Sequence, residues 1–396
     1  MNDLINIITH KVENTAEATW QLRCLLHQNP ELSYKEFETQ QLVINQLKKI
    51  GIVDIKKMAN TGVVALIHGA EEGDCIALRA DMDALPIHET NEVEYKSKND
   101  GIMHACGHDF HTANLLGVAQ ILFELKSKFK GTFKLIFQPG EEKNPGGASI
   151  MIAEGILENP QVKQALALHV FPALQAGQVG FYKGLYMASC DEVYVTITGK
   201  GGHAATPQLI NNPIYPMSEL ILSTQKINEE ATSNNIEHVL TFGKIEANGA
   251  TNIVPQTIKI HGTFRSKNET WRASVHQKLN DLADTIAKKH SVSIDMKIAI
   301  GYPCLVNDIA LTTQIEKYTK ELLGEACIQT LEKRMTSEDF AFFSQKIPVC
   351  YYRIGTASAN GGNAHNVHTS DFDIEKSAMK IALKSMSYAA IQLINT

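Results

Sequence analysis

The densest group of chemically active side chains in this sequence is the segment MHACGHDFHT, residues 103–112. It supplies five candidate metal ligands, which are His104, Cys106, His108, Asp109 and His111. Thiolate, imidazole and carboxylate groups are the side chains that bind transition metals such as zinc. A lone histidine in a loop is more often a helix cap, but five candidate ligands around one glycine favour a metal site. A second interpretation makes Cys106 a nucleophile paired with a histidine, although no thiol-hydrolase signature accompanies it.

Two adjacent glutamates, Glu141 and Glu142, follow the predicted strand in FQPGEE, residues 137–142. Taken alone, such a pair is typical of a solvated turn. The side chains of adjacent residues diverge, so one can bind a metal ion while the other accepts a proton from a water molecule. That division of labour is what metal-assisted hydrolysis requires. A position at the carboxyl end of a strand in a parallel sheet favours this active role.

Other candidate site residues also lie at the ends of predicted strands or in a loop late in the chain. Asp81 and Asp83 alternate at the end of the predicted strand CIALRADM, and His169 stands at the end of ALALHV. A histidine in an apolar run is usually a core residue, but its place at the strand end favours a ligand. His365 and His368 lie in the late loop HNVHTSDFD. Four loops that each bring His, Cys or Glu to one sheet edge indicate a site for two ions.

Hydrophobic periodicity predicts the elements that position these residues. Helices are predicted at about 3–28, 36–50, 108–128, 146–157, 211–230, 269–290, 307–324 and 374–394. Strands are predicted at about 61–69, 75–82, 131–140, 164–171, 192–200, 238–247, 257–265, 291–299 and 349–355. Continuous apolar strands alternating with helices predict an α/β fold with a mostly parallel sheet.

The pattern changes near residue 186, where strands begin to alternate apolar and polar residues. We therefore expect a catalytic, metal-binding domain made from residues 1–185 and 300–396. A smaller α+β domain, residues 186–299, is expected to be inserted in it as a lid or dimerisation domain.

Composition narrows the possible partners and compartments. The net charge of −6 is spread along 396 residues with no run of Lys or Arg, so nucleic acid is not an expected partner. The sequence has no run of 18 apolar residues, so no membrane span is expected. Its polar first residues predict a helix rather than a signal peptide, and a membrane is not an expected partner. Seven widely spaced cysteines do not form a disulfide framework, which indicates a cytoplasmic protein.

Several of these motifs, in this order, resemble one known family. RADMDALPI, MHACGHDFHT, FQPGEE, GKGGHAATP and the His368 loop are similar to the metal-dependent amidohydrolases that include aminoacylases, hippurate hydrolase and plant auxin-conjugate hydrolases. The likeness spans nearly the whole chain. It implies hydrolysis of the amide bond of small N-acyl-amino acids and favours a homodimer formed through the inserted domain. The mixed donor set suits two divalent ions of zinc, manganese, cobalt or nickel.

The resemblance also implies a metal-ligand set, namely Cys106, His108, Glu142, His169 and His368. By the same likeness Glu141 is the general base. The wider clan usually has a histidine at position 81 and an aspartate at position 106, so this chain resembles the Cys-containing branch. Asp83 is a plausible group for orienting a ligand, and the role of Asp81 is open.

The same resemblance implies substrate-binding or catalytic roles for three residues of the inserted domain. His203 would stabilise the tetrahedral oxyanion, and the glycines before it let the backbone turn its side chain outward. Asn252 and Arg265 would hold the substrate carboxylate. Arg265 ends a predicted strand, where a guanidinium offers a planar fork to a carboxylate.

Three rival functions stay open at this stage. One is a dipeptidase or carboxypeptidase on the same scaffold, and another is an N-acetyl-diaminopimelate deacetylase. No clear acidic pair in the inserted domain offers a partner to a free α-amino group, so N-acyl substrates are favoured. A non-catalytic metal-binding homologue would have no use for Glu141 beside Glu142.

Replacing His203 by alanine tests the role assigned to the inserted domain. We expect His203→Ala to keep its metal ions and substrate affinity while the turnover number falls about 100-fold or more, as loss of a transition-state donor should. Steady-state kinetics and elemental analysis of the purified variant measure both quantities. Turnover equal to that of the wild type would remove His203 from the mechanism.

Overall fold

The computed structural model describes residues 2–358 and 365–396. Its α-helices are α1 (Asn2–Gln28), α2 (Phe37–Ile50), α3 (His108–Glu124), α4 (Gly147–Ala153), α5 (Ile214–Ser233), α6 (Glu269–His290), α7 (Ile309–Leu323), α8 (Ala341–Ser344) and α9 (Ala378–Ile394). In this part of the chain, no helix has the length and apolar character needed to cross a bilayer.

The strands fall into one large and several small sheets. They are β1 (Ile55–Met58), β2 (Gly62–His68), β3 (Cys75–Asp81), β4 (Thr132–Gln138), β5 (Val162–Gln175), β6 (Val179–Phe181), β7 (Gly184–Met187), β8 (Ser189–Thr198), β9 (Gly202–His203), β10 (His238–Ala247), β11 (Ile253–Val254), β12 (Thr257–Ser266), β13 (Ser293–Ile300), β14 (Leu305–Asn307), β15 (Ile328–Thr330) and β16 (Val349–Ala357). The predicted long elements are present. The sequence patterns miss the short strands β1, β6, β7, β9, β11, β14 and β15 and the short helix α8.

The described residues separate into two compact units. The first comprises the described residues up to Tyr186, Val306–Glu332 and the described residues from Asp339 onward. The second comprises Met187–Leu305 and Lys333–Glu338. Residues 300–396 are all expected in the first domain, but residues 300–305 and Lys333–Glu338 lie in the second unit.

An 8-stranded sheet in the order β1-β2-β4-β3-β5-β16-β6-β15 forms the centre of the first unit. Its middle strands β4, β3, β5 and β16 are parallel, and the edges add antiparallel pairs. β3 is buried along its whole length, and α3 is buried on almost every side, as expected for a helix inside a layered core. These features confirm the predicted α/β fold with a mostly parallel sheet.

Strand register brings polar residues to one level of this sheet. Asp81 pairs with Gln138 across β3 and β4, and Arg353 pairs with His169 across β16 and β5. The expectation that His169 ends its strand is wrong, because β5 continues to Gln175. β5 extends beyond the end of β3 because its later residues pair with β16.

The second unit is a 4-stranded antiparallel sheet in the order β10-β12-β8-β13. β8 alternates as predicted, burying Val193, Val195 and Ile197 in a core that includes residues from α5 and α6. Because only alternate residues of β8 are buried, the helices cover one face of this sheet.

A buried ion pair holds α6 to the start of β8. Asp191 accepts hydrogen bonds from Arg272 Nε at 2.8 Å and Nη2 at 2.5 Å, from His276 Nε2 at 2.7 Å and from the Gly301 N–H at 2.9 Å. Burial by itself raises the pKa of Asp191, but the hydrogen bonds from Arg272 and His276 lower it from 3.8 to about 2.

Breaking this pair should destabilise the second unit. We expect Asp191→Asn to cost about 3–5 kcal/mol, because it removes the buried counter-charge of Arg272 and leaves that guanidinium only the exposed carboxylate of Glu269. The wild-type contribution is present above about pH 4 and is lost as the pH falls towards 2, since the native pKa lies below the unfolded one.

Urea unfolding followed by Trp271 fluorescence measures this cost. The chain has two tryptophans, so a Trp20→Phe background isolates the signal of the second unit. The exposed Asp284→Asn variant is the matched control and should change the unfolding free energy by less than about 0.5 kcal/mol. An equal effect of both variants would contradict the assignment.

Candidate active site

One buried carboxylate organises the loops at the carboxyl ends of β3 and β4. Asp83 Oδ1 accepts the Glu141 N–H at 3.0 Å and faces His108 Nδ1 at 3.2 Å. Its Oδ2 accepts the Glu142 N–H at 2.9 Å and the Ser33 hydroxyl at 2.6 Å. Asp83 therefore fixes the backbone of both glutamates and the ring of His108.

The segment before α3 turns sharply so that Cys106 and His108 converge. Gly107 between them has φ +81°, a conformation that favours glycine. A Cβ atom at Gly107 would also lie 2.6 Å from Val170 Cγ2. The glycine thus allows the ligand-bearing loop to approach β5 closely.

Hydrogen bonds fix which nitrogen of each imidazole carries its proton. His169 Nδ1 lies 2.7 Å from the Val170 carbonyl oxygen, which can only accept, so Nε2 keeps its lone pair. That Nε2 lies 3.4 Å from Cys106 Sγ. His108 Nδ1 faces the Asp83 carboxylate, and its buried Nε2 has no hydrogen-bond partner among the described residues. Both rings present an Nε2 atom suited to a metal ion, with the other nitrogen held by an outer group.

His111 differs from these two histidines. The Val170 N–H donates to His111 Nε2 at 3.0 Å, so the proton lies on Nδ1, which donates to Asp81 Oδ1 at 2.6 Å. Both nitrogens are used within the protein. Although His111 lies within reach of Asp81 and His108, it has no lone pair left for an ion.

His368 reaches the cluster from the late loop. Its backbone adopts φ +67°, which is unusual for a residue other than glycine, and its N–H donates to the Ala105 carbonyl at 2.7 Å. Its Nε2 lies 3.1 Å from Glu142 Oε1. Contacts with Cys106 and Glu142 raise the pKa of His368 to about 10.

The ligand atoms of these residues form overlapping groups in which all atoms lie within 4.8 Å of one another. One group is Cys106, His108 and His169; the second is Cys106, Glu142 and His368; the third is His108, Glu141 and Glu142. The structure therefore brings together all five predicted ligands and Glu141. The thiol of Cys106 belongs to both the first and the second group.

The donor set fits metal ions on two observations. The buried atom His108 Nε2 lacks a hydrogen-bond partner among the described residues, which is costly unless an ion satisfies it. Burial, together with the charge of Glu142, also raises the pKa of the Cys106 thiol. A buried thiol of this kind ionises readily only when a cation binds it. Burial, with the charge of Arg353, lowers the pKa of His169 and keeps its ring neutral.

Three other histidine and aspartate candidates lie outside the groups. Asp109 forms an ion pair with Arg23 Nε at 2.8 Å and contacts His27 Nδ1 at 2.7 Å. His104 is buried with no hydrogen bond among the described residues, and His365 pairs with Asp371 at 2.8 Å. Of the five candidates in residues 103–112, only Cys106 and His108 have the geometry of ligands.

A buried charged network, which was not predicted from the sequence, lies beneath the cluster. Arg79 donates to Asp81 Oδ2 at 2.6 Å, Asp339 Oδ1 at 2.8 Å and Gln138 Oε1 at 3.0 Å, and all four side chains are buried. Burial alone raises the pKa of Asp81, but His108 and Arg79 hold it well below its usual value. The signal in the sequence is a charged arginine inside the apolar strand CIALRAD. Asp81 thus holds the His111 ring on one side and binds Arg79 on the other, beneath the ligand cluster.

The remaining predicted residues lie in the second unit. His203 pairs with Ile253 across β9 and β11, and the Ala204 N–H donates to the Asn252 carbonyl at 3.0 Å, so His203 and Asn252 are neighbours. The Ala205 N–H donates to His203 Nδ1 at 3.1 Å. Nδ1 therefore acts as an acceptor, so the ring proton lies on Nε2, which makes that atom a donor.

A family model described as peptidase family M20/M25/M40 matches residues 77–392. The chain belongs to this family. The chain is 37% identical over 377 residues to N-acetyl-L-cysteine deacetylase of Bacillus subtilis, a match covering 95% of this chain and 88% of the relative. It is 33% identical over 396 residues to thermostable carboxypeptidase 2 of Saccharolobus solfataricus, covering 99% and 100% of the two chains.

Plant and structural relatives agree with this assignment. IAA-amino acid hydrolase ILR1-like 5 of Arabidopsis thaliana is 37% identical over 360 residues, covering 90% of this chain and 82% of the relative. The crystal structure of the YXEP protein of Bacillus subtilis, described as a dinuclear metal-binding peptidase of the M20 family, has a TM-score of 0.80 at 30% identity and covers 97% and 99% of the chains. The protein is therefore a metal-dependent amidohydrolase, as the resemblance implies.

Because Cys106 belongs to two ligand groups, its replacement should affect metal content directly. We expect Cys106→Ser to contain fewer ions per chain than the wild type and to lose activity, since a hydroxyl is a poor substitute for a thiolate. Elemental analysis of the dialysed protein measures the content. The buried Cys75→Ser variant, at the opposite end of β3 from Asp81, is the matched control and should keep its ions. A nucleophilic Cys106 would instead leave metal content unchanged.

Proposed function

We propose that this enzyme hydrolyses the amide bond of N-acyl-amino acids to a carboxylic acid and the free amino acid. The observation that carries the proposal is the position of Glu141. Its carboxylate oxygen lies within 4.8 Å of ligand atoms of His108 and Glu142, while the backbone of both glutamates is fixed by Asp83. A proton acceptor beside a metal-ligand cluster is the arrangement that amide hydrolysis requires.

The proposed ligand set contains two subsets that share one thiolate. Cys106, His108 and His169 would hold one divalent ion, and Cys106, Glu142 and His368 the other. When bound, such ions act as Lewis acids on the carbonyl and lower the pKa of water from 15.7 to about 7. Zinc, manganese, cobalt and nickel all suit this mixture of sulfur, nitrogen and oxygen donors.

Glu141 is the residue that moves protons in this proposal. Its carboxylate accepts a proton from the attacking water and passes it to the nitrogen of the leaving amino acid. The Asp339 N–H lies 3.4 Å from Glu141 Oε1 and helps to fix that side chain. Because Glu141 is buried, a proton that it holds is protected from bulk solvent.

The second unit would supply the groups that bind the rest of the substrate. His203 Nε2 would donate to the oxyanion, which agrees with the proton position that Ala205 imposes on its ring. Arg265 and Asn252 would bind the α-carboxylate of the amino acid. The homodimer and the cytoplasmic location stay predictions from the sequence.

A carboxypeptidase activity is the alternative that a specific finding favours, since one relative is named as a thermostable carboxypeptidase. Two other relatives are named for N-acyl-amino acid substrates, which favours the first proposal. N-acetyl-L-methionine and L-alanyl-L-methionine release the same amino acid and differ at the acyl side. Comparing their kcat/KM values, with and without chelator, separates the two functions. Cleavage of no N-acyl-amino acid and no dipeptide would contradict both.

Glu141→Gln should retain the fold and the metal ions but lose turnover. The substitution keeps the size of the side chain and removes the proton acceptor, so we expect kcat for N-acetyl-L-methionine to fall at least about 100-fold. Steady-state kinetics and elemental analysis of the same preparation test this expectation.

Glu142→Gln provides the contrast for this experiment, because it removes a proposed ligand and should lower metal content. Glu158→Gln, an exposed position, should change neither quantity. If Glu141→Gln kept more than about a tenth of the wild-type rate, the assignment of Glu141 as the base would be wrong.

A further inference from the structure

A cationic pocket lies within the second unit, around the predicted carboxylate-binding residue Arg265. Its volume is about 500 Å³, and it is lined by Arg265, Lys333, Arg334, Met335 and Thr336. Three of these five side chains carry a positive charge, and none of the described lining residues is acidic. Such a surface attracts anions.

The fold brings Arg265 and Arg334 to this pocket from distant parts of the sequence. Residues 333–338 lie beside the start of β8, where Met187 forms a parallel bridge with Arg334 and the Ala188 N–H donates to the Thr336 carbonyl at 3.1 Å. Arg265 on β12 pairs with Cys190 of β8. Both arginines are therefore attached to the same end of one strand.

Arg265 is held in place by one edge of its guanidinium. Its Nη1 donates to the Met335 carbonyl at 3.1 Å and to the Ser337 hydroxyl at 3.2 Å. No hydrogen bond joins its Nε or Nη2 to the described residues. The Nε–Nη2 edge is the one that binds a carboxylate through two parallel hydrogen bonds. Arg265 is thus fixed by its neighbours with a carboxylate-binding edge available.

Arg334 adds a second guanidinium to the same pocket. Its Nε lies 3.3 Å from the Thr336 hydroxyl, which orients the side chain. Lys333 pairs with Glu237 at 3.3 Å, and Glu237 also binds Lys267 at 2.5 Å. Of the two basic residues beside Arg265, Arg334 is the one suited to planar recognition of a second carboxylate.

We propose that Arg334 makes this pocket selective for N-acyl derivatives of acidic amino acids. Arg265 binds the α-carboxylate, and Arg334 binds the carboxylate of the side chain. This inference rests on the proposed function, which it narrows to substrates whose amino-acid part carries two negative charges. Aspartate and glutamate are the amino acids of this class.

N-acetyl-L-glutamate and N-acetyl-L-glutamine test the inference, because they have nearly the same shape and differ in one charge. We expect the wild type to prefer the glutamate derivative at least tenfold in kcat/KM, equal to about 1.4 kcal/mol. Arg334→Gln should lower this ratio towards one. Arg334→Lys should give an intermediate ratio, since it keeps the charge without the planar fork.

Lys226→Gln is the matched control, because it removes one exposed positive charge of the same unit outside the pocket. It should leave the ratio unchanged. Raising the salt concentration should reduce the wild-type preference through screening. A wild-type ratio near one, or a ratio that Arg334→Gln does not alter, would overturn the proposal.

Isothermal titration calorimetry separates failure of this inference from failure of the proposed function. If no N-acyl-amino acid is hydrolysed, the proposed function is wrong, and titration of the same two compounds still measures the pocket. Tighter binding of N-acetyl-L-glutamate that is lost in Arg334→Gln would support the pocket. Equal binding of both compounds to the wild type would reject it.

Discussion

The active site depends on the buried carboxylate of Asp83 and the hydrogen bonds it accepts. It joins the end of β3 to the two glutamates after β4, to His108 at the start of α3 and to Ser33. A buried carboxylate is stable only when donors surround it, and here the surrounding groups are the backbone of both glutamates, the His108 ring and the Ser33 hydroxyl. The cost of burying Asp83 is therefore offset by the same contacts that shape the ligand cluster.

A second layer of buried charges supports this centre. Arg79 binds Asp81 and Asp339 beneath the cluster, and Arg23 binds Asp109 beside it. These ion pairs connect strands, the first helix and the late part of the chain, so the ligand loops are anchored to several elements at once. Such outer contacts restrict the ligand side chains before any ion arrives, which reduces the conformational entropy lost on binding.

Much of the fold and of the ligand set could be predicted from the sequence. The long helices and strands follow from hydrophobic periodicity, and the five ligands follow from the family resemblance of a few short motifs. Hydrogen-bond directions could not be predicted. His111 resembles His108 in sequence, but the Val170 N–H occupies its second nitrogen, whereas His108 Nε2 stays available. An arginine inside the apolar strand CIALRAD marks Arg79 as unusual, but its partners Asp339 and Gln138 could not be predicted because they are distant in sequence.

The sequence by itself determined the α/β class, the family and the residue types of the metal site, because these depend on local periodicity and on short motifs. Only the tertiary structure decided which candidates converge, which nitrogen of each imidazole keeps its lone pair, and how Arg334 comes to lie beside Arg265. Those outcomes depend on strand register and on hydrogen bonds between residues far apart in the chain. Local sequence does not encode such long-range contacts, since each requires the whole sheet to be in place.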